Sequence, residues 1–118
     1  MTIETDIQAV LDPLVGARVF PDDAPYGTPR PFICYEQAGG DALRYVDNTL
    51  PNKKHGRFEI GVYADTPAQR SALALQVEEV ISAAAAFQAT AIHAPIHDYA
   101  NDVKIYSSIQ NFSVFSNR

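Results

Sequence analysis

The stretch from Thr66 to Ala86 constrains the fold more than any other part of this 118-residue chain. Thr66 can cap a helix through its hydroxyl, Pro67 suits a first helical position where no N–H is needed, and Gln69 stands where a capping box places a side chain that reaches back. Leu73, Val77, Val80, Ile81 and Ala84 then recur at helical spacing along one narrow stripe, with Arg70, Glu78, Glu79 and Ser82 away from it or at its margin. The run Ala83-Ala84-Ala85-Ala86 keeps helix propensity high to the end. The spacing predicts a helix over 67–86, roughly 28 Å long at ~1.5 Å per residue. Its one apolar stripe must be buried against other elements, so it serves as the beam of a small domain and carries no chemistry itself.

The remaining elements follow from shorter signals. Ile3, Ile7, Val10, Leu11 and Leu14 predict an amphipathic helix over 3–12 capped by Thr2. Its regular part ends near Leu11, because Asp12 precedes Pro13 and avoids helical geometry. Ala17-Arg18-Val19-Phe20 is a short extended piece. The link over 21–31 holds Pro21, Pro25, Pro29 and Pro31, which fix its path while denying it ladder hydrogen bonds. Phe32 to Gln37 reads as a strand rich in aromatic and β-branched residues. Residues 38–54 keep no period and predict a long loop, an uncommon feature in a small domain and one that tends to be functional or mobile. Arg57 to Tyr63 alternates cleanly, with Phe58, Ile60 and Val62 inward. After the long helix, Ala89 to His93 is a weaker strand and Tyr99 to Asp102 is turn-like. Val103 to Phe115 is rich in β-formers, but its alternation slips between Ile109 and Phe112, which predicts a bulge near Gln110-Asn111. The order α-β-β-β-α-β-β describes a single α+β domain over 1–118: a mainly antiparallel four- to five-stranded sheet with two helices packed on one face.

Net charge and cysteine usage remove several functions. A formal charge of −5 opposes phosphate-driven nucleic-acid binding, which needs clustered Lys and Arg. The one basic cluster, Lys53-Lys54-His55-Gly56-Arg57, reads mainly as a solvated loop edge. The single cysteine, Cys34, excludes an internal disulfide and fits a reducing compartment; no apolar run approaches the ~20 residues of a membrane span, and no signal-peptide pattern opens the chain. A cytoplasmic protein is expected.

Catalytic chemistry finds little support. His93 and His97 are four apart, but Pro95 forbids a shared helix, and on a strand they stand about 13 Å apart at ~3.3 Å per residue, too far for one ion. Asp98 beside them suits a turn. Cys34 lies mid-strand with no adjacent charge to activate its thiol. No nucleophile elbow and no phosphate-binding loop is present. No catalytic, metal or cofactor-binding residue is therefore assigned. Surface apolar residues point instead to assembly: Leu75 lies opposite the buried stripe of its helix, and Tyr45, Val46 and Leu50 sit in the long loop.

Taken in order, several of these segments resemble one known family. They are the opening helix with Leu11 and Leu14, Arg18-Val19-Phe20-Pro21, the proline-rich link into Pro31-Phe32-Ile33-Cys34-Tyr35, and Phe58-Glu59-Ile60-Gly61-Val62-Tyr63-Ala64. The helix from Thr66-Pro67-Ala68 and the closing Asn111-Phe112-Ser113-Val114-Phe115 complete the set. Together they resemble the tail-completion, or tail-terminator, proteins of long-tailed bacteriophages and prophages. The resemblance implies a structural, non-enzymatic virion-assembly protein without cofactors. It implies a homo-oligomeric ring, commonly a hexamer, that caps the tail tube, contacts the tail tube protein and joins the tail to the head connector or stopper protein. Assembly in the host bacterial cytoplasm, a final place in the virion tail, and no membrane or specific nucleic-acid partner are implied as well. The residues expected at ring or partner contacts are Asp41, Arg44, Tyr45, Asp47, Leu50, Lys53 and Lys54 of the long loop, with Leu75 on the helix. A stand-alone cytoplasmic ligand-binding or regulatory α+β domain is the alternative, and a metal-dependent enzyme built on His93, His97 and Asp98 is a third reading.

Overall fold

The structure, a computed structural model, describes residues 2–42 and 52–117. The elements are α1 (Ile3–Leu11), β1 (Val19–Pro21), β2 (Phe32–Gln37), β3 (Lys53–Ala64), α2 (Pro67–Ala83), β4 (Gln88–Ala91), β5 (Ile96–Ala100) and β6 (Ile105–Asn117). Both helices start as their caps dictate. Thr2 Oγ1 accepts from the Thr5 N–H at 3.2 Å, and Thr66 Oγ1 accepts from the Gln69 N–H at 3.1 Å. Gln69 Oε1 reaches back one residue beyond the cap, to the Asp65 N–H at 3.2 Å. A 3₁₀ turn over Asp12–Leu14 follows α1, so regular helix stops one residue short of the 3–12 span.

The sheet is larger and less uniform than the sequence pattern predicts. It has six strands in the order β1-β2-β3-β6-β4, with β5 also paired to β6. The four- to five-stranded expectation fails because the segment after α2 makes two strands, and Tyr99 and Ala100 belong to β5 rather than to a turn. The sheet is mixed, since β1 runs parallel to β2 with Val19 opposite Ile33. The link over 21–31 is long enough to return the chain to the start of β2, which makes that parallel pairing possible. β3 begins at Lys53, so the expected loop over 38–54 ends at least two residues earlier.

Two further differences have clear physical causes. The helix predicted over 67–86 ends at Ala83; Ala84 is extended despite the favourable alanines, and the released chain delivers Phe87 to the core, where it is buried. The bulge is not in β6 either. The register from Lys53↔Asn117 to Ala64↔Tyr106 is unbroken. The irregularity sits on the neighbouring edge, where Ile92–Pro95 places four residues between Ala91↔Phe112 and Ile96↔Ile109, against two residues of β6. Those two are Gln110 and Asn111.

The core lies between the sheet and the helices. Ile33 and Tyr35 of β2, Phe58, Ile60 and Val62 of β3, and Phe112 and Val114 of β6 face Ile7, Leu11, Leu73, Val77 and Ile81 of the helices. Packing of this kind is worth about 3–5 kcal/mol for a fully buried phenylalanine. Among the described residues the other face of the sheet carries no helix. Among the described residues no helix is long and apolar enough to cross a membrane.

Candidate functional site

The helix-free face of the sheet divides into two unlike halves along the strands. At the end where β2 and β6 begin, the outward positions are mainly apolar, with Ser107 and Asp98 the polar ones on β6 and β5. Phe20, Phe32 and Tyr63 stack in series, with ring centroids 6.4 Å and 4.9 Å apart. Ile105 and Ile109 continue the patch on β6, and Ile96, 61% exposed, pairs with Ile109 from β5. The link over 21–31 bends across this face. With Phe32, Val103 and Ile105 it encloses an open cleft of about 400 Å³, to which Asp23 and Arg30 contribute polar groups. Tyr26 stands fully exposed in the link and Val103 is 53% exposed in the turn before β6. Arg30 is held by Asp65, Nε to Oδ1 at 2.5 Å.

At the opposite end the same face is polar and of mixed charge, with Glu36 and Glu59 next to Arg57 and Asp41 beside His55. Lys53, His55 and Arg57 alternate outward from β3, opposite Asn117, Phe115 and Ser113. Lys53 Nζ donates to Asn117 Oδ1 at 2.6 Å. His55 Nδ1 accepts from the Asp41 N–H at 2.8 Å, which fixes the ring proton on Nε2 in the neutral form, where Ser113 Oγ lies at 2.7 Å. Phe115 packs beside His55, centroids 4.7 Å apart, yet is 40% exposed. A cleft of about 330 Å³ opens next to it, walled by Ala85, Ala86 and Phe87 behind α2.

The expected contact residues fall unevenly on this frame. Asp41 and Lys53 lie at this second end; Lys54 is half-buried and alternates to the helix side of β3, and Lys53 lies on a strand rather than on a loop. Leu75 is exposed on the outer side of α2, away from both halves of the sheet face. Arg44, Tyr45, Asp47 and Leu50 lie outside the described residues. The apolar half of the face has no signal in the sequence, because its residues come from five strands and the proline-rich link, which no local pattern joins.

Of the polar groups singled out as chemical candidates, His93 is tied into local hydrogen bonds. Asn111 N donates to His93 Nε2 at 3.3 Å, and Gln110 Nε2 donates to both His93 O (2.7 Å) and Glu78 Oε1 (2.6 Å). These bonds pin the break between β4 and β5 to α2. His97 lies on β5 opposite Ser108, one kink away from His93. Among the described residues no group of three His, Cys, Asp or Glu is arranged to hold a metal ion. Burial pushes the Cys34 thiol up to about 11, with the Asp23 carboxylate adding to the effect. Burial, with neighbouring acidic groups, raises Tyr35 and Tyr63 as well.

The family model for Tail completion protein gp17 matches residues 6–115. The chain belongs to this tail completion family. The match runs from within α1 to near the end of β6, so family membership applies to the fold rather than to one motif. No curated protein matches the chain. Among solved structures, a chain from the virion of a native gene transfer agent (GTA) particle shares its fold, with a TM-score of 0.60 and 19% identity over 93% of this chain and 86% of that one.

Proposed function

We propose that the chain is a non-enzymatic structural protein of a phage tail, which caps the tail tube as a ring and joins it to the head connector. The observation that carries this reading is the family match over nearly the whole chain, and the similarity of fold to a virion chain supports it. The surface agrees with it: an antiparallel sheet in water normally turns polar residues outward, whereas this one leaves Ile96, Ile105, Ile109 and an aromatic stack there. The partners are other copies of the chain, the tail tube protein and the head-connector or stopper protein. Assembly takes place in the host cytoplasm and ends in the virion.

The reading is tested with purified tail tubes. The chain co-sediments with them, decorates one end in negative-stain images, and stops elongation when added to polymerising tube protein. Tubes that keep growing at unchanged rate and length, with the chain left in the supernatant, contradict the proposal.

A further inference from the structure

We infer that the apolar cleft under the proline-rich link, together with an acidic hollow beside it, binds a segment of another protein that carries an aromatic or aliphatic side chain and an arginine or lysine two residues away. That the other protein is a virion component rests on the tail reading above; the recognition chemistry rests on the surface itself. Outward residues of β2 and β3 form three successive cross-strand pairs. Phe32 opposite Tyr63 is the stacked aromatic pair, Cys34 opposite Gly61 is small, and Glu36 opposite Glu59 is acidic. The small middle pair leaves a hollow of about 120 Å³, which Asp22 of the link also lines. The Tyr63 ring leans over Gly61 as one wall; a Cβ there would meet its Cε2 at 3.1 Å. The Phe32–Tyr63 stack joins the two depressions, since Tyr63 lines the hollow and Phe32 lines the cleft.

Charge names the occupant. Like charges directly opposite each other destabilise a sheet, and Glu36 and Glu59 stand so, with Asp22 close by. Arg57, next outward on β3, offsets one of these three carboxylates. At the cleft Asp23 is on the wall, Arg30 is engaged by Asp65, and Lys104 shares its turn with Asp102. A guanidinium or ammonium in the hollow relieves the repulsion and meets the Tyr63 ring. A second copy presenting the same carboxylates is repelled. Shape agrees with charge. The cleft of about 400 Å³ has room for an aromatic ring, since a cavity of about 150 Å³ holds benzene. Tyr26 and Phe32 supply aromatic walls of the kind that dominate interface energetics.

Peptides test the site on the full chain. The probe is acetyl-Gly-Phe-Ser-Arg-Gly-amide, whose ring and guanidinium lie on one side of an extended backbone, roughly 7 Å apart at ~3.3 Å per residue. It is expected to shift the amide resonances of Phe32, Cys34, Gly61, Tyr63 and Val103 and to bind with a Kd of about 1 mM. Peptides with Glu for Arg, or Ala for Phe, bind roughly tenfold more weakly. E36Q with E59Q abolishes the preference for Arg over Glu, and melts at the same or a higher temperature because the opposed charges are gone. Peptides that bind alike whatever their charge, shifts confined to another surface, or no shift at about 10 mM overturn the site. Self-association that broadens the same resonances and excludes the peptide gives the cleft to a second copy and overturns it too. Chain that binds the probe but ignores tail tubes keeps the site and contradicts the tail reading. Chain that caps tubes but leaves the probe unbound does the reverse.

Discussion

Gln110 shows how one buried polar side chain fixes the local fold. It faces the helix layer at 4% exposure, and its amide satisfies both a carboxylate of α2 and the carbonyl of His93 in the strand break. Replacing it with leucine keeps the volume and leaves those two acceptors without their donor. Gln110→Leu is expected to cost about 1–3 kcal/mol in urea unfolding and to speed amide exchange across Ile92–Pro95. Cys34 supplies a second test. An acidic group whose proton is held more tightly in the folded chain than in the unfolded one contributes stability below the unfolded value, and loses it as pH rises. With the thiol moved from 9.0 to about 11, stability falls between pH 9 and 11. Tyr35 and Tyr63 act in the same direction at still higher pH. Urea midpoints at pH 8 and pH 10.5 are expected to differ less in Cys34→Ala than in the wild type. In native protein at pH 8 the thiol resists alkylation that it accepts in urea.

At the scale of elements, the caps and periodic stretches act as their residues dictate. Thr66→Ala removes the acceptor for the Gln69 N–H and is expected to lower stability by about 1 kcal/mol, measured by thermal or urea unfolding. Phe58, Ile60 and Val62 face the core because period-2 alternation is a local property of a strand with one covered face. The last strand was harder to read for a physical reason. Ile105 and Ile109 alternate out of phase with Phe112 and Val114, and a strand with one apolar face would need a bulge to reconcile them. β6 instead runs straight with apolar residues on both faces, one set in the core and the other on the uncovered surface. That surface was therefore written in the sequence as an apparent defect in alternation. The end of α2 was illegible for another reason: alanine propensity favours continuing the helix, and only the tertiary demand to bury Phe87 ends it at Ala83. The parallel pairing of β1 had no local signal, since the direction of a three-residue edge strand depends on where the proline-rich link returns.

For the whole molecule, net charge and surface chemistry set the expected partners. A chain of net charge −5 is expected to leave double-stranded DNA unshifted in gels at ~100 mM salt, because counterion release offers it little; retention at that salt contradicts the absence of specific nucleic-acid binding. The central claim is assembly into a closed ring, and sedimentation velocity over a wide concentration series, with negative-stain imaging of the largest species, tests it most directly. One discrete species near six subunits, seen as rings, is expected, with no larger polymers. A monomer at every concentration that also fails to sediment with tail tubes contradicts it, and returns the chain to the behaviour of a stand-alone domain.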